Sequence, residues 1–381
     1  MPINLSTEQK DLAETLDDVW SGIEPGHDAW PSIRELGLTE IPFPEATGGA
    51  DGTFRDLTVV MTGLGRVLGS APYFSSVVMA GLALLDAADR DTRAELLPGI
   101  VSGARTAALV CGPGIVTSAI RGEVAGEREL SLTGVQHAVV DGESAELLVV
   151  VTHGPDGTEL ALVEGSAPGV RRSVGEQLDG TRQLATVEFD GATARRISGP
   201  DVASRLEEVR SRVLIALAAE QVGLARRCLE MAVEYAGTRQ QFGRTIGSFQ
   251  GIKHKLVDLL VAIELAEVTV LDASNGAERG CDESGTAEPG GTELAVRAAA
   301  ARVLASRAAM TAAEEAIQVH GGIGFTWEHP LHHYFRRAKA DQLLFGDEYP
   351  YVQSVGESLV LGREVTHEAQ EGIRLTGAVG R

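Results

Sequence analysis

Arg239, Gln241, Phe242 and Gly243 stand together in the segment YAGTRQQFGRTIGSFQGIKHKL, residues 235–256, between two long helical patterns. An arginine in such an interhelical loop can give two parallel hydrogen bonds to a pair of phosphate oxygens, and a phenylalanine beside it can pack on a ring system. The same residues also suit an ordinary turn carrying a surface arginine. A second segment, QVHGGIGFTWEHPLHHYFRRAK, residues 318–339, holds Gln318 and the glycines Gly321, Gly322 and Gly324. Glycines there let a backbone come close to a ligand. No GxGxxG follows a strand and no Walker loop occurs, so any dinucleotide is held in another way. His329, His332 and His333 fit no metal-ligand spacing on one helix face and suit a surface or interface role. His254 and His320 read as structural or ligand-adjacent, and Arg336-Arg337 as an anchor for the helices.

The elements that position these segments follow from the apolar pattern. Residues 5–20 begin at Ser6 or Thr7 with leucines at helical spacing, and WPSIRELGLTEI ends near Gly37. PFPEATGGADGTF must be irregular. Helical patterns then fill residues 55–103. From about Ala107 the segments become short and β-branched, with a turn at 153–157, so an all-β sandwich or small barrel is expected. Near Ser204 helical periodicity returns in three long helices and two shorter ones, with a polar insertion at 275–291. The expected organisation is α+β: an N-terminal helical domain over 1–105, a middle β-domain over 106–201 and a C-terminal helical bundle over 202–381.

Composition limits the function classes. The 381 residues carry 33 basic and 54 acidic side chains, a net charge of −21, which argues against a nucleic-acid partner and requires local arginines to meet an anionic ligand. Cys111, Cys228 and Cys281 show neither a metal nor a disulfide pattern. With no signal segment and no membrane-spanning run, a reduced, cytoplasmic setting without membrane attachment is expected.

Taken whole, the two segments resemble the acyl-CoA dehydrogenase family: Arg-x-x-Phe-Gly followed by Ile-x-x-Phe-Gln, then Gln-x-x-Gly-Gly-x-Gly-Phe with a later Glu-x-Pro and Arg. WPSIRELGLTEIPFPEATGGADG and LTGVQHAVVDGESAELLVVV extend a weaker resemblance along the chain. The resemblance implies FAD at a subunit interface, with Arg239, Gln241, Phe242, Gln318, Gly321 and Gly322 as the half of its site donated to a neighbour. It implies α,β-dehydrogenation of an acyl-CoA thioester, with a carboxylate removing the α-proton and an electron-transfer flavoprotein as acceptor.

The chain departs from that family where the chemistry is done. An ungapped count from Gln318 puts the usual glutamate base at Phe345, in LFGD, and a count back from Arg239 puts the alternative base at about Val213; neither can take a proton. Asp347 and Glu348 follow closely and are the remaining candidates, with a solvated or capping role as the alternative. CGPGIVTSAI, residues 111–120, replaces the flavin- and acyl-binding loop, and Gln136 stands where many members have a lysine. These departures resemble the partner subunit of heteromeric α2β2 acyl-CoA dehydrogenases of actinobacteria, many linked to steroid side-chain degradation. That resemblance implies a catalytic partner subunit and no catalytic residue in this chain. A self-sufficient homotetramer using Glu348, a non-enzymatic flavin- or CoA-binding scaffold, and a related oxidase or hydroxylase are the alternatives.

Overall fold

A computed structural model describes residues 4–154, 157–278 and 291–361. The tip of the turn at 155–156, most of the polar insertion with Cys281, and residues 362–381 lie outside the described residues.

Helix α1 (Thr7–Val19) starts at Ser6, whose hydroxyl accepts the Gln9 amide while the Gln9 side chain accepts the Ser6 amide. This reciprocal cap satisfies two amides that the first turn leaves free. Helix α2 (Trp30–Glu35) is followed by the left-handed Gly37, and α3 (Phe54–Val67) is capped by Thr53 and Asp56 in the same reciprocal way. The expected helix over SSVVMAGLALLDAA begins as a π-helical stretch, Tyr73–Gly81, in which every residue is buried, and continues as α4 (Leu82–Ala87). Helix α5 (Arg90–Val101) completes this part.

Seven strands follow: β1 (Ala107–Val110), β2 (Arg121–Val124), β3 (Glu129–Val140), β4 (Leu147–Gly154), β5 (Gly157–Glu164), β6 (Val170–Val174) and β7 (Leu184–Arg196). They pair in the order β4-β2-β3-β7-β5, and β5 pairs back on β4, so the sheet closes into a ring. Of the two expected forms, the barrel is the one adopted. β1 joins parallel on β4 and β6 antiparallel on β7. The sequence pattern divides β3 into two strands; the structure keeps it as one, bent at register shifts after Leu132 and Gln136. β2 has one buried residue in four, too little alternation to be read from the sequence. Leu130, Leu132, Leu148 and Val150 fill the inside of the ring. Leu109, Val149, Val151 and Leu160 on the other face join the helical core.

The 37-residue α6 (Val202–Thr238) is the central mast. A two-strand hairpin, β8 (Gln240–Gln241) and β9 (Arg244–Thr245), leads to α7 (Gln250–Gly276). Helices α8 (Gly291–His320), α9 (Leu331–Leu343) and α10 (Tyr349–Leu361) follow. α6 meets α3 where two glycines oppose each other's backbones: a Cβ on Gly65 would lie 2.0 Å from the Glu220 carbonyl oxygen, and one on Gly223 would lie 1.9 Å from that of Thr62. This contact fixes the phase of α6 and turns Glu220 inward. Among the described residues no helix is long and apolar enough to cross a membrane.

Candidate functional site

Helix α6 ends at Arg239, whose amide still bonds to the Tyr235 carbonyl at 2.9 Å while its own backbone becomes extended. Its carbonyl then accepts the Ile246 amide at 2.8 Å, which closes the base of the hairpin. At the tip Phe242 (φ 54°) and Gly243 (φ 77°) are both left-handed, as a two-residue hairpin turn with right-handed strand twist demands. Phenylalanine in this conformation is strained, and its side chain is 92% exposed, touching Phe249 edge-on at 6.1 Å. Arg244 lies over the Phe249 ring at 4.0 Å. Arg239 is exposed and forms no side-chain hydrogen bond or ion pair among the described residues. Among the described residues the Gln241 side chain bonds only to the neighbouring Gln240 carbonyl, at 2.9 Å.

Gln318 is exposed on the last turn of α8, which stops at the left-handed Gly321 (φ 61°). A side chain at Gly321 or Gly322 would meet nothing within 4 Å, so this turn offers open backbone. Gly324 differs from the expectation: a Cβ there would lie 3.0 Å from the Ile317 carbonyl oxygen, so this glycine serves packing against α8. His320 stacks on Tyr235 at 4.3 Å and meets His329 at 4.5 Å, and this stack brings the ends of α6 and α8 to one end of the bundle. A pocket of about 290 Å³ lies there, lined by Arg227, Tyr235, Thr238, His320, His329 and Pro330. Phe325 (77% exposed) and Trp327 (73% exposed) add to Phe242 an apolar surface of the kind that ligands or other chains cover. His332 and His333 pack on each other at 3.9 Å, His254 is exposed on α7, and no group among the described residues is arranged to hold a metal ion.

The positions counted as bases lie in the interior. Val213 is fully buried on α6, and Phe345 is buried edge-on against Phe74 at 6.3 Å. Glu348 points elsewhere, accepting a hydrogen bond from Arg307 Nε at 2.6 Å, and Asp347 accepts the Glu348 amide at 2.7 Å. The loop after β1 is drawn tight by the Gly112 amide donating to the Thr117 carbonyl at 2.6 Å, with the non-glycine Ile115 left-handed. Gln136 is buried and bonded to this loop through the Ala119 amide.

Beside Phe345 lies a buried ion cluster that the sequence reading did not assemble. Arg182 sits over the Phe74 ring at 4.9 Å, donates to Asp341 Oδ1 at 2.7 Å, and pairs with Glu220. Arg337 donates to Asp179 Oδ2 at 2.6 Å and Thr181 Oγ1 at 2.8 Å, and also pairs with Glu220. Arg337 is thus the anchor of the expected arginine pair, while the half-buried Arg336 lies over Trp327 at 4.5 Å. The space left among Met61, Phe74, Asp141, Arg182, Glu220 and Arg337 is about 20 Å³, room for one water. One signal was present in the sequence: Glu220-Gln221 interrupts the apolar run LIALAA–VGLA on α6. A charge at that phase needs a buried partner.

Two carboxylates, Glu220 and Asp341, share Arg182. Burial works against the Glu220 charge, but Arg182 and Arg337 together hold its carboxyl below the usual range. Burial pushes Asp341 up to about 7; Arg182 opposes this and the nearby Glu220 charge reinforces it. Asp341 Oδ2 has no hydrogen-bond partner among the described residues. The folded chain therefore keeps on Asp341 a proton that the unfolded chain releases near pH ~4. Stability should fall as pH rises from about 4 to about 7, by at most about 1.4 kcal/mol per pH unit. Thermal melts across this window should show that slope, and Asp341→Asn should flatten it. An unchanged slope in the variant would show that another group titrates.

Both helical parts of the chain match a known family. Residues 6–104 match the family described as Acyl-CoA dehydrogenase, N-terminal domain, and residues 209–359 match Acyl-CoA dehydrogenase, C-terminal domain. The chain is 36% identical over 305 residues to acyl-CoA dehydrogenase IpdE2 of Mycobacterium tuberculosis, covering 80% of this chain and 78% of that protein. Its fold is similar to a chain of the ChsE4–ChsE5 complex from Mycobacterium tuberculosis, with TM-score 0.82 and 26% identity over 94% of this chain and 99% of that one. It is also similar to a chain of the Tcur3481–Tcur3483 steroid ACAD, with TM-score 0.80 and 26% identity over 93% and 98%.

Proposed function

We propose that this chain, which belongs to the acyl-CoA dehydrogenase family, is the subunit that donates the Arg239–Gln318 half of an FAD site to a catalytic partner of the same fold. FAD is the cofactor, and when bound it takes up the hydride lost from the β-carbon of an acyl-CoA thioester. The residues at the end of the bundle fit one side of such a ligand. Arg239 would offer a free guanidinium to the pyrophosphate, Gln318 an amide, and Gly321 and Gly322 a backbone that a ligand can approach. Phe242 would cover an apolar part.

The observation that carries the reading is Phe345. A dehydrogenase needs a carboxylate within reach of the substrate α-proton. Here the counted position is a phenylalanine closed into the core against Phe74, beside a chamber of about 20 Å³. Glu348, the substitute base, would have to leave Arg307 and reach inward past Phe345. The likeness to chains of ChsE4–ChsE5 and Tcur3481–Tcur3483 supports a two-subunit assembly, and the likeness to a steroid ACAD supports a steroid-derived acyl-CoA as substrate class.

Purification alone and with a co-expressed dehydrogenase subunit tests this. The lone chain should contain little FAD and show no acyl-CoA-dependent flavin reduction. The complex should turn over and hold one FAD per two chains. Turnover by the lone chain at the rate of the complex would sink the reading.

A further inference from the structure

We infer that His320 is a positioning residue of the donated half-site: held between Tyr235 and His329, it clamps the glycine turn after Gln318 to the last turn of α6 and so sets where Gln318 and Arg239 stand relative to each other. This role rests on the half-site reading above. His320 is buried at the C-terminal end of α8. Its ring stacks on Tyr235 at 4.3 Å with 23° between the planes, and meets the His329 ring at 4.5 Å and 58°. His320 Nδ1 lies 2.8 Å from the Ala316 carbonyl oxygen, so Nδ1 carries the hydrogen and donates it back onto α8, which fixes how the ring is turned. Tyr235 is also the residue whose carbonyl accepts the Arg239 amide, at 2.9 Å. The stack therefore links the helical turn that ends at Arg239 to the helical turn that carries Gln318.

The chain leaves α8 at His320 and comes back at His329, so contact of these two rings closes the base of the loop between them. His329 is itself held in place. Its Nδ1 accepts the Leu331 amide at 3.3 Å, and its carbonyl oxygen accepts a hydrogen bond from His332 Nδ1 at 2.7 Å. Within the loop, a side chain at Gly321 or Gly322 would meet nothing within 4 Å, and Phe325 and Trp327 are exposed. An open glycine turn has wide backbone freedom, and a ligand that binds it has to order it. A clamp at the base removes part of that ordering before the ligand arrives. The stacked face of the ring does this, so a flat ring without the nitrogens should serve.

The test is titration of FAD into the deflavinated complex of this chain with its co-expressed dehydrogenase subunit, read by flavin fluorescence well below the melting temperature of each variant. His320→Ala should raise the dissociation constant about 10-fold, in the range of coupling between residues in contact. His320→Phe, which keeps a ring on Tyr235, should recover most of that loss. In a chain that already carries Arg239→Ala and Gln318→Ala, adding His320→Ala should cost under about 3-fold, because the groups it positions are gone. A general loosening of the fold would instead cost the same in both backgrounds. If His320→Ala does not fold, His329→Ala, which opens only the outer ring contact, takes its place in the same comparison. Unchanged FAD affinity on loss of the ring, no recovery in His320→Phe, or an equal loss in both backgrounds would overturn the role of His320 and leave the half-site reading standing. Full affinity in the Arg239→Ala, Gln318→Ala chain would remove the half-site reading itself, and this role with it.

Discussion

An Arg337→Met chain should unfold about 3–5 kcal/mol more easily than the unsubstituted protein, the range for removing one partner from a buried charge pair. Arg337 is fully buried and serves Asp179, Thr181 and Glu220 at once. Its loss leaves Asp179 without its arginine and Glu220 with Arg182 alone. Burial already works to raise both carboxyls, and Arg337 is the main opposing charge for Asp179. Without it both should take up protons at higher pH than before. The variant should therefore recover part of its lost stability on moving from neutral pH toward pH 5, as the stranded carboxylates neutralise. Denaturant titrations at the two pH values measure this. A loss below about 1 kcal/mol would mean that the cluster is more hydrated than its burial indicates. The cluster also joins three regions of the chain, since Asp179 and Arg182 come from the β6–β7 connection and Glu220, Arg337 and Asp341 from α6 and α9. Its loss should loosen the sheet on the bundle.

Arg239→Ala combined with Gln318→Ala should strip most of the FAD from the complex while leaving the melting of this chain unchanged. The two effects separate because neither side chain is used by the fold: Arg239 forms no side-chain bond among the described residues, and both are exposed. Each charge-assisted hydrogen bond to a ligand contributes about 1.5–3 kcal/mol, so loss of the pair should raise the dissociation constant for FAD by at least about 100-fold. Flavin absorbance after gel filtration, with a melt of the same sample, gives both readings. Full flavin retention would remove these residues from the cofactor site. Arg239→Lys should restore only part of the binding, since an ammonium cannot reproduce the two-pronged contact of a guanidinium.

Much of this protein is legible in its sequence because it is governed locally. The helix start at Ser6 or Thr7, the long unbroken period of α6 and the loop that holds Arg239 to Gly243 follow from residue types and spacing alone. So does the absence of a carboxylate at residue 345, because a motif count needs no coordinates. The two loop segments that carry Arg239 and Gln318 are also sequence properties.

What the tertiary structure decided depends on contacts between residues far apart in the chain. Closure of the sheet rests on a few register pairs, such as Ala161 with Arg196, that no local pattern encodes. The direction in which Glu220 points was fixed by the glycine contact of α3 with α6, and only then did Arg182, Arg337 and Asp341 become its neighbours. That Gly324 packs inward while Gly321 and Gly322 stay open depends on how the turn folds back on α8. The sequence by itself determined where the arginine, glutamine and glycine motifs stand and that no carboxylate stands at the counted position. The three-dimensional packing decided that this position is a closed interior, because a buried charge keeps its place only when partners from other elements arrive to neutralise it.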